Sequence, residues 1–157
     1  MAKVSGYSRQ QIALHWAVVV LVGFQFVAHD GMEHAWRDGT TGLGAIAHVA
    51  VGLTVLVLML VRLAIRLRRG APPPPESDKS IFRIAADVTH WAFYALLMLI
   101  PLSGALAWFG GLEAPAEGHE VMGNLLLAVI ALHAFAAVFH KHITGTRVLD
   151  RMVYPSD

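Results

Sequence analysis

The sequence predicts an all-α fold, a four-helix transmembrane bundle, and three observations predict it. Of 157 residues, 56% are hydrophobic and only 15% charged, whereas a soluble domain carries about 25% charged residues. The apolar residues gather into four long runs, and the basic residues fall almost entirely on one side of those runs. Residues 1–157 read as a single domain, because the connections are too short to fold on their own.

The runs cover residues 12–28, 45–65, 85–109 and 121–143. A helix rising about 1.5 Å per residue needs roughly 20 residues to cross a hydrocarbon core about 30 Å thick. The first run is the shortest, and Lys3 and Arg9 precede it as they would a signal peptide. It also holds His15, Trp16 and Gln25, and no small-x-small cleavage site follows, so it reads as a retained first helix. The third run contains Pro101 with Gly104 one turn later, and a helix there is expected to kink and continue. Residues 30–42 form a polar, glycine-rich connection, and residues 66–80 carry Arg68, Arg69 and a stiff proline run at 72–75. Residues 110–118 form a short acidic connection.

Lys3, Arg9, Arg62, Arg66, Arg68, Arg69, Lys79, Arg83, Lys141, Arg147 and Arg151 lie on the side of the termini, and only Arg37 lies opposite. Basic residues flank the cytoplasmic side of a span, so both termini are expected to be cytoplasmic. The outer side carries Asp30, Glu33, Asp38, Glu113, Glu117 and Glu120 against Arg37, a formal charge of one minus six, or −5. The overall charge of +1 gives no reason to expect a nucleic-acid partner. With no cysteine, disulfides, thiolate metal sites, a catalytic thiol and a covalently attached haem are excluded.

Nine histidines remain. An ionisable residue inside a span is costly and faces the bundle interior. His15 and His133 lie roughly 9 and 12 Å in from the same membrane side, and His48 and His119 near the opposite one. His119 and His133 are fourteen residues apart, which brings them within about 40° of one helical face and roughly 21 Å apart along the axis. One face with a donor nitrogen near each surface suits two stacked haem planes, each also held from a facing helix. Gly52 and Gly123 follow His48 and His119 by four positions and read as clearance for a flat macrocycle. A zinc or di-iron site lacks the Cys or Glu-x-x-His donors it needs, and a proton relay has only Asp87 as a carboxylate near membrane depth. Bis-histidine haem b fits best, with His15 and His90 at equal depth and either able to face His133. His140, seven residues after His133 on nearly the same face, suits a propionate contact or a quinone hydrogen bond. His29, His34 and His142 read as loop or interface residues, and Trp16 and Trp91 as interface anchors.

The segments YSRQQIALHW at 7–16, HVAVG at 48–52, LVRL at 60–63 and ALHA at 131–134, leading to His140, resemble the bacterial cytochrome b561 family over nearly the whole chain. The resemblance implies an inner-membrane protein with two haems b, the cytoplasmic one held by His15 and His133 and the periplasmic one by His48 and His119. It implies electron transfer between a periplasmic donor, superoxide or a small redox protein, and the quinone pool, with ubiquinone as acceptor. His90, His140, Arg9 and Arg83 would be hydrogen-bond or propionate partners at the cytoplasmic end. Bis-histidine ligation leaves no open iron position, so no catalytic residue is assigned. In the superoxide oxidase branch the connection between the third and fourth spans is longer than residues 109–119. The acidic outer face slows an anionic substrate and suits a basic redox protein such as a cytochrome c. A second reading is a haem-bearing anchor subunit for a soluble dehydrogenase or cytochrome c partner, and a stoichiometric soluble partner on purification would distinguish it.

Overall fold

A computed structural model describes residues 6–73, 80–143, 145, 146 and 148–156. They form five helices, α1 (Arg9–Val27), α2 (His29–Asp38), α3 (Leu43–Arg69), α4 (Ser80–Gly110) and α5 (Glu113–His142), and a short 3-10 turn at Asp150–Met152, with no strand among the described residues. Helices α1, α3, α4 and α5 are long and apolar enough to cross a membrane. Lys3, Lys79 and Arg147 of the expected basic side, and Pro74 and Pro75 of the proline run, lie outside the described residues.

Most of the helices overrun the apolar runs because helical hydrogen bonding continues into polar residues that the hydrocarbon does not require. Helix α1 starts at Arg9 because Ser8 and Gln11 form a capping box: the Ser8 hydroxyl accepts the Gln11 N–H at 3.2 Å, and the Gln11 side chain accepts the Ser8 N–H at 3.1 Å. Helix α3 runs on through Arg66, Arg68 and Arg69, cations that complement the negative end of its dipole. Residues 113–118, expected as a connection, are the first turns of α5. Glu113 sits at the positive end of the dipole, and Pro115 falls in the first turn, where no N–H is needed. Only Gly111 and Leu112 then join α4 to α5, and Gly111 makes the reversal at φ +63°, a conformation that favours glycine. Helix α4 passes through Pro101 without ending.

The segment 30–42 is not the open connection its polarity indicates, since most of it is α2. Met32, Ala35 and Trp36 recur at helical spacing, and Arg37 pairs with Glu33 one turn back. Ala35 is buried where α2 lies on α3. The glycines and charges of this stretch hid a short amphipathic helix that exists because α3 offers it an apolar surface.

The long helices pack in the order α1, α3, α4, α5, each along the next. Val18 and Val22 of α1, Val55 and Met59 of α3, Tyr94, Leu96 and Leu97 of α4, and Leu126 of α5 make one core. Leu126 is the one buried residue of α5, which forms no packed seam with α1 or α3 among the described residues. Leu, Val and Phe side chains cover the outside of the bundle, as a lipid-facing surface requires.

At the basic end, the segment around the 3-10 turn lies back over the start of α1. The Trp16 indole donates to the Met152 carbonyl at 2.8 Å, the Ser156 N–H to the Tyr7 carbonyl at 3.2 Å, and Arg151 to the Pro73 carbonyl at 2.8 Å. Burial pushes the Tyr7 phenol above its ordinary value, opposed by the nearby Arg66 guanidinium. A phenol held neutral in the fold contributes stability up to its unfolded value, about 10, and loses it as pH rises through the higher folded value. Thermal unfolding in detergent is therefore expected to fall off above about pH 10 in the wild type and to lose that dependence in Tyr7→Phe.

Candidate functional site

Of the four histidines of α5, His119 and His133 lie within the span and both meet α4, His119 at Ile100 and His133 at His90 and Phe93. Near the acidic end, the ring of His119 faces that of His48 on α3, with centroids 6.0 Å apart and planes at 62°. Two imidazoles that ligate one metal from opposite sides, each nitrogen about 2 Å from the ion, have centroids roughly 6 Å apart. The rings border a cavity of about 780 Å³ lined by all five helices, within the range of cofactor pockets, roughly 300–1,000 Å³.

His119 is aimed by α4. Its Nδ1 donates to the Ile100 carbonyl at 2.8 Å, which places the proton on Nδ1 and leaves the Nε2 lone pair for a metal. Gly104 makes this possible, because a Cβ there would lie 2.8 Å from Nδ1 and 2.9 Å from Cε1 of His119. Gly104, expected with Pro101 to mark a kink, thus seats a histidine. On the other side, the Gln25 amide of α1 donates through Nε2 to the His48 carbonyl at 2.9 Å. The two glycines read as clearance divide: Gly123 has nothing within 4 Å of an added Cβ, but a Cβ at Gly52 would stand 3.0 Å from Gln25 Nε2. Gly52 therefore makes room for the amide.

Toward the basic end, His133 is faced by His90 of α4, with ring centroids 5.8 Å apart, and by Phe93 at 5.2 Å. His15 of α1 lies within electrostatic reach of both histidines. Its Nδ1 is 3.3 Å from Arg62 Nη1 of α3, and since a guanidinium only donates, this contact leaves the His15 proton on Nε2. Ligation through His15 Nε2 would move that proton to Nδ1 and turn Arg62 away. One turn on, the Arg66 guanidinium lies over the rings of Trp91, at 5.4 Å, and Tyr94, at 5.6 Å.

The residues expected at a quinone separate into two levels. His90 is at the level of His133, whereas His140 stands nearer the basic end, its ring 5.6 Å from Phe82 and its Nδ1 3.3 Å from the Thr146 hydroxyl. Arg83 is the neighbour of Phe82 at the start of α4, and Arg9 opens α1. Gln25 and Arg62, polar residues within apolar runs, were the available signals for two side chains that sequence reasoning left without a role. His29, read as a bystander, lines the outer cavity on α2 with Glu33 3.9 Å from its Nδ1. It could not be placed there without knowing that its segment is helical.

Among the described residues no cluster of three or more His, Cys, Asp or Glu is arranged to hold a bare metal ion. Pairs of imidazoles at two depths, the outer pair beside a cavity of cofactor size, fit a haem, which would need only a histidine or two from the chain to hold its iron. Fold and donor set together define a membrane cytochrome b. Residues 6–155 match the prokaryotic cytochrome b561 family, and the chain belongs to it. It is 36% identical to cytochrome b562 of Cereibacter sphaeroides over 99% of both chains. It is 30% identical to a probable superoxide oxidase CybB of Yersinia pestis, over 94% of this chain and 95% of that one. It is also 30% identical to cytochrome b561 homolog 1 of Escherichia coli K12, over 94% and 96%. Membership implies haem b and electron transport through a multi-pass membrane protein.

Because Gly104 seats His119, Gly104→Ala is expected to displace the ring and, as far as His119 holds haem, to lower haem content, while Gly123→Ala, whose Cβ meets nothing within 4 Å, keeps it. Changes behind a metal ligand typically cost about 10–100-fold in affinity. The haem-to-protein absorbance ratio of the two variants checks the pair.

Proposed function

We propose that this protein carries electrons across the bacterial inner membrane, from a cationic redox protein on the periplasmic side to the quinone pool. The observation that carries the reading is a close pair of histidine rings at each of two depths along α5, His48 with His119 and His90 with His133. Two haems b bound there would supply reversible one-electron chemistry. The chain would hold them through its histidines, exclude water with its apolar helices, and separate the two levels by roughly 21 Å along α5.

The basic end faces the cytoplasm in this reading, by the distribution of arginine and lysine. There a quinone would be met by His140, Arg83 and Arg9 at the rim and by His90 deeper in. Imidazole and guanidinium groups can hydrogen-bond its carbonyls, and histidine can pass on the two protons that accompany two electrons. Ubiquinone is the proposed acceptor. At the other end, Glu33, Glu113, Glu117 and Glu120 line the cavity against Arg37, which Glu33 engages. Such a rim repels superoxide and draws in a positively charged protein.

The inner ligand opposite His133 is proposed to be His15, the pairing implied by the matched motifs. The 5.8 Å approach of His90 to His133 favours His90 as the alternative. The pigment decides. The wild type is expected to hold two haems b per chain and His48→Ala about half of that signal; a colourless protein ends the proposal. Loss of the inner haem in His15→Ala with retention in His90→Ala supports the first pairing, and the reverse supports the second. For the donor, haem reduction by a reduced cationic cytochrome c is expected to slow as salt rises, because screening beyond about 10 Å sets in near 0.1 M, and to slow several-fold in a Glu117→Gln/Glu120→Gln double variant. Stopped-flow reduction faster with superoxide than with the cytochrome would overturn the assignment.

A further inference from the structure

Two buried side-chain polar atoms lack a hydrogen-bond partner among the described residues, and they belong to adjoining residues: Nδ1 of His48 and Oε1 of Gln25. A buried polar atom left unsatisfied costs about 1–3 kcal/mol, and such atoms are rare enough in native folds that each calls for an explanation. One is a ring nitrogen that donates when the other nitrogen of the imidazole binds a metal, and the other is an acceptor. The Gln25 amide is already tied to residue 48 through Nε2 and the His48 carbonyl, at 2.9 Å. Gly52, one turn beyond His48, gives that amide its room, since a Cβ there would lie 3.0 Å from Nε2.

His119 shows what the complete arrangement looks like. A neighbouring helix provides an acceptor, the Ile100 carbonyl, for its Nδ1–H, and a glycine, Gly104, lets ring and acceptor meet. His48 also has an acceptor on a neighbouring helix, the Gln25 side chain, and a glycine that makes room for it. Gly52 lies on the helix of His48 itself, however, and Oε1 and Nδ1 still have to turn toward one another to meet. We propose that Gln25 is the positioning residue of His48: its Oε1 accepts the Nδ1–H of His48, holding the tautomer that presents Nε2 to the outer haem. The inference rests on the reading of His48 as an axial ligand. An acceptor behind a ligating imidazole raises its basicity, which favours ferric over ferrous iron and lowers the reduction potential of that haem.

The test is a redox titration of the purified, haem-loaded full chain, with Gln25→Leu and Gln25→Glu beside the wild type. Gln25→Leu removes the acceptor. It is expected to raise the potential of the outer haem, a tenfold change in relative ferric and ferrous ligation being about 59 mV for one electron, and to weaken retention of that haem about 10–100-fold. Gln25→Glu keeps an acceptor oxygen at the same reach and is expected to hold the haem at a potential equal to or below the wild type. The inner haem is expected to stay put in both. An outer potential unmoved in Gln25→Leu, equal shifts of both haems, or failure of Gln25→Glu to restore the outer haem would each overturn the role of Gln25 while leaving a two-haem wild type intact. A wild type whose outer haem survives His48→Ala would overturn the ligand reading itself. Should Gln25→Leu fail to fold, Gln25→Asn, whose oxygen falls one methylene short, takes its place with the same expected directions.

Discussion

An imidazole placed at membrane depth must find partners for both ring nitrogens, because hydrocarbon offers neither donor nor acceptor, and much of this architecture follows from meeting that demand. His119 meets it with a backbone carbonyl of α4. That carbonyl is reachable only because Gly104 has no side chain and because α4 packs closely along α5. The close packing of α4 on α5 is therefore part of the site, and the small residue inside a long apolar helix is where fold and chemistry coincide.

The same packing explains where a cofactor fits. Helix α5 spends its contacts on α4 and has only Leu126 buried. The apolar area that another four-helix bundle would bury between α5 and the first two spans is left to line a cavity. A cofactor seated in that cavity would link binding to stability, because whatever binds the folded chain and not the unfolded one stabilises it by mass action. Helix α2 belongs to the same account. It lies on α3 and lines the cavity beside the outer histidine pair with Met32, Glu33 and Trp36.

Charge is divided as sharply as polarity. The carboxylates of α2 and α5 surround one mouth, while arginines of α3 reach toward the histidines at the other end, Arg62 to His15 and Arg66 across Trp91 and Tyr94. In the proposed reading this one asymmetry would set both the orientation of the chain in the membrane and the charge of its partner.

The sequence by itself determined the four spans, because hydrocarbon thickness sets a length that can be counted, and it determined the shared face of His119 and His133, because helical spacing is arithmetic. The YSRQQIALHW opening was enough to identify the family. What it could not determine was anything that depends on which helix lies against which. Gly52, expected to give clearance to a macrocycle, lines the cavity and also gives room to Gln25, which spacing along one helix could not show. Residues 113–118 looked like a loop and proved to be helix, as did most of 30–42. His90 and His15 stood at equal depth on paper, and only packing placed one ring against His133 and the other against Arg62. Periodicity and hydropathy are properties of one helix in its solvent, whereas the partner of a polar atom is supplied by a second helix, and that choice is made by tertiary structure alone.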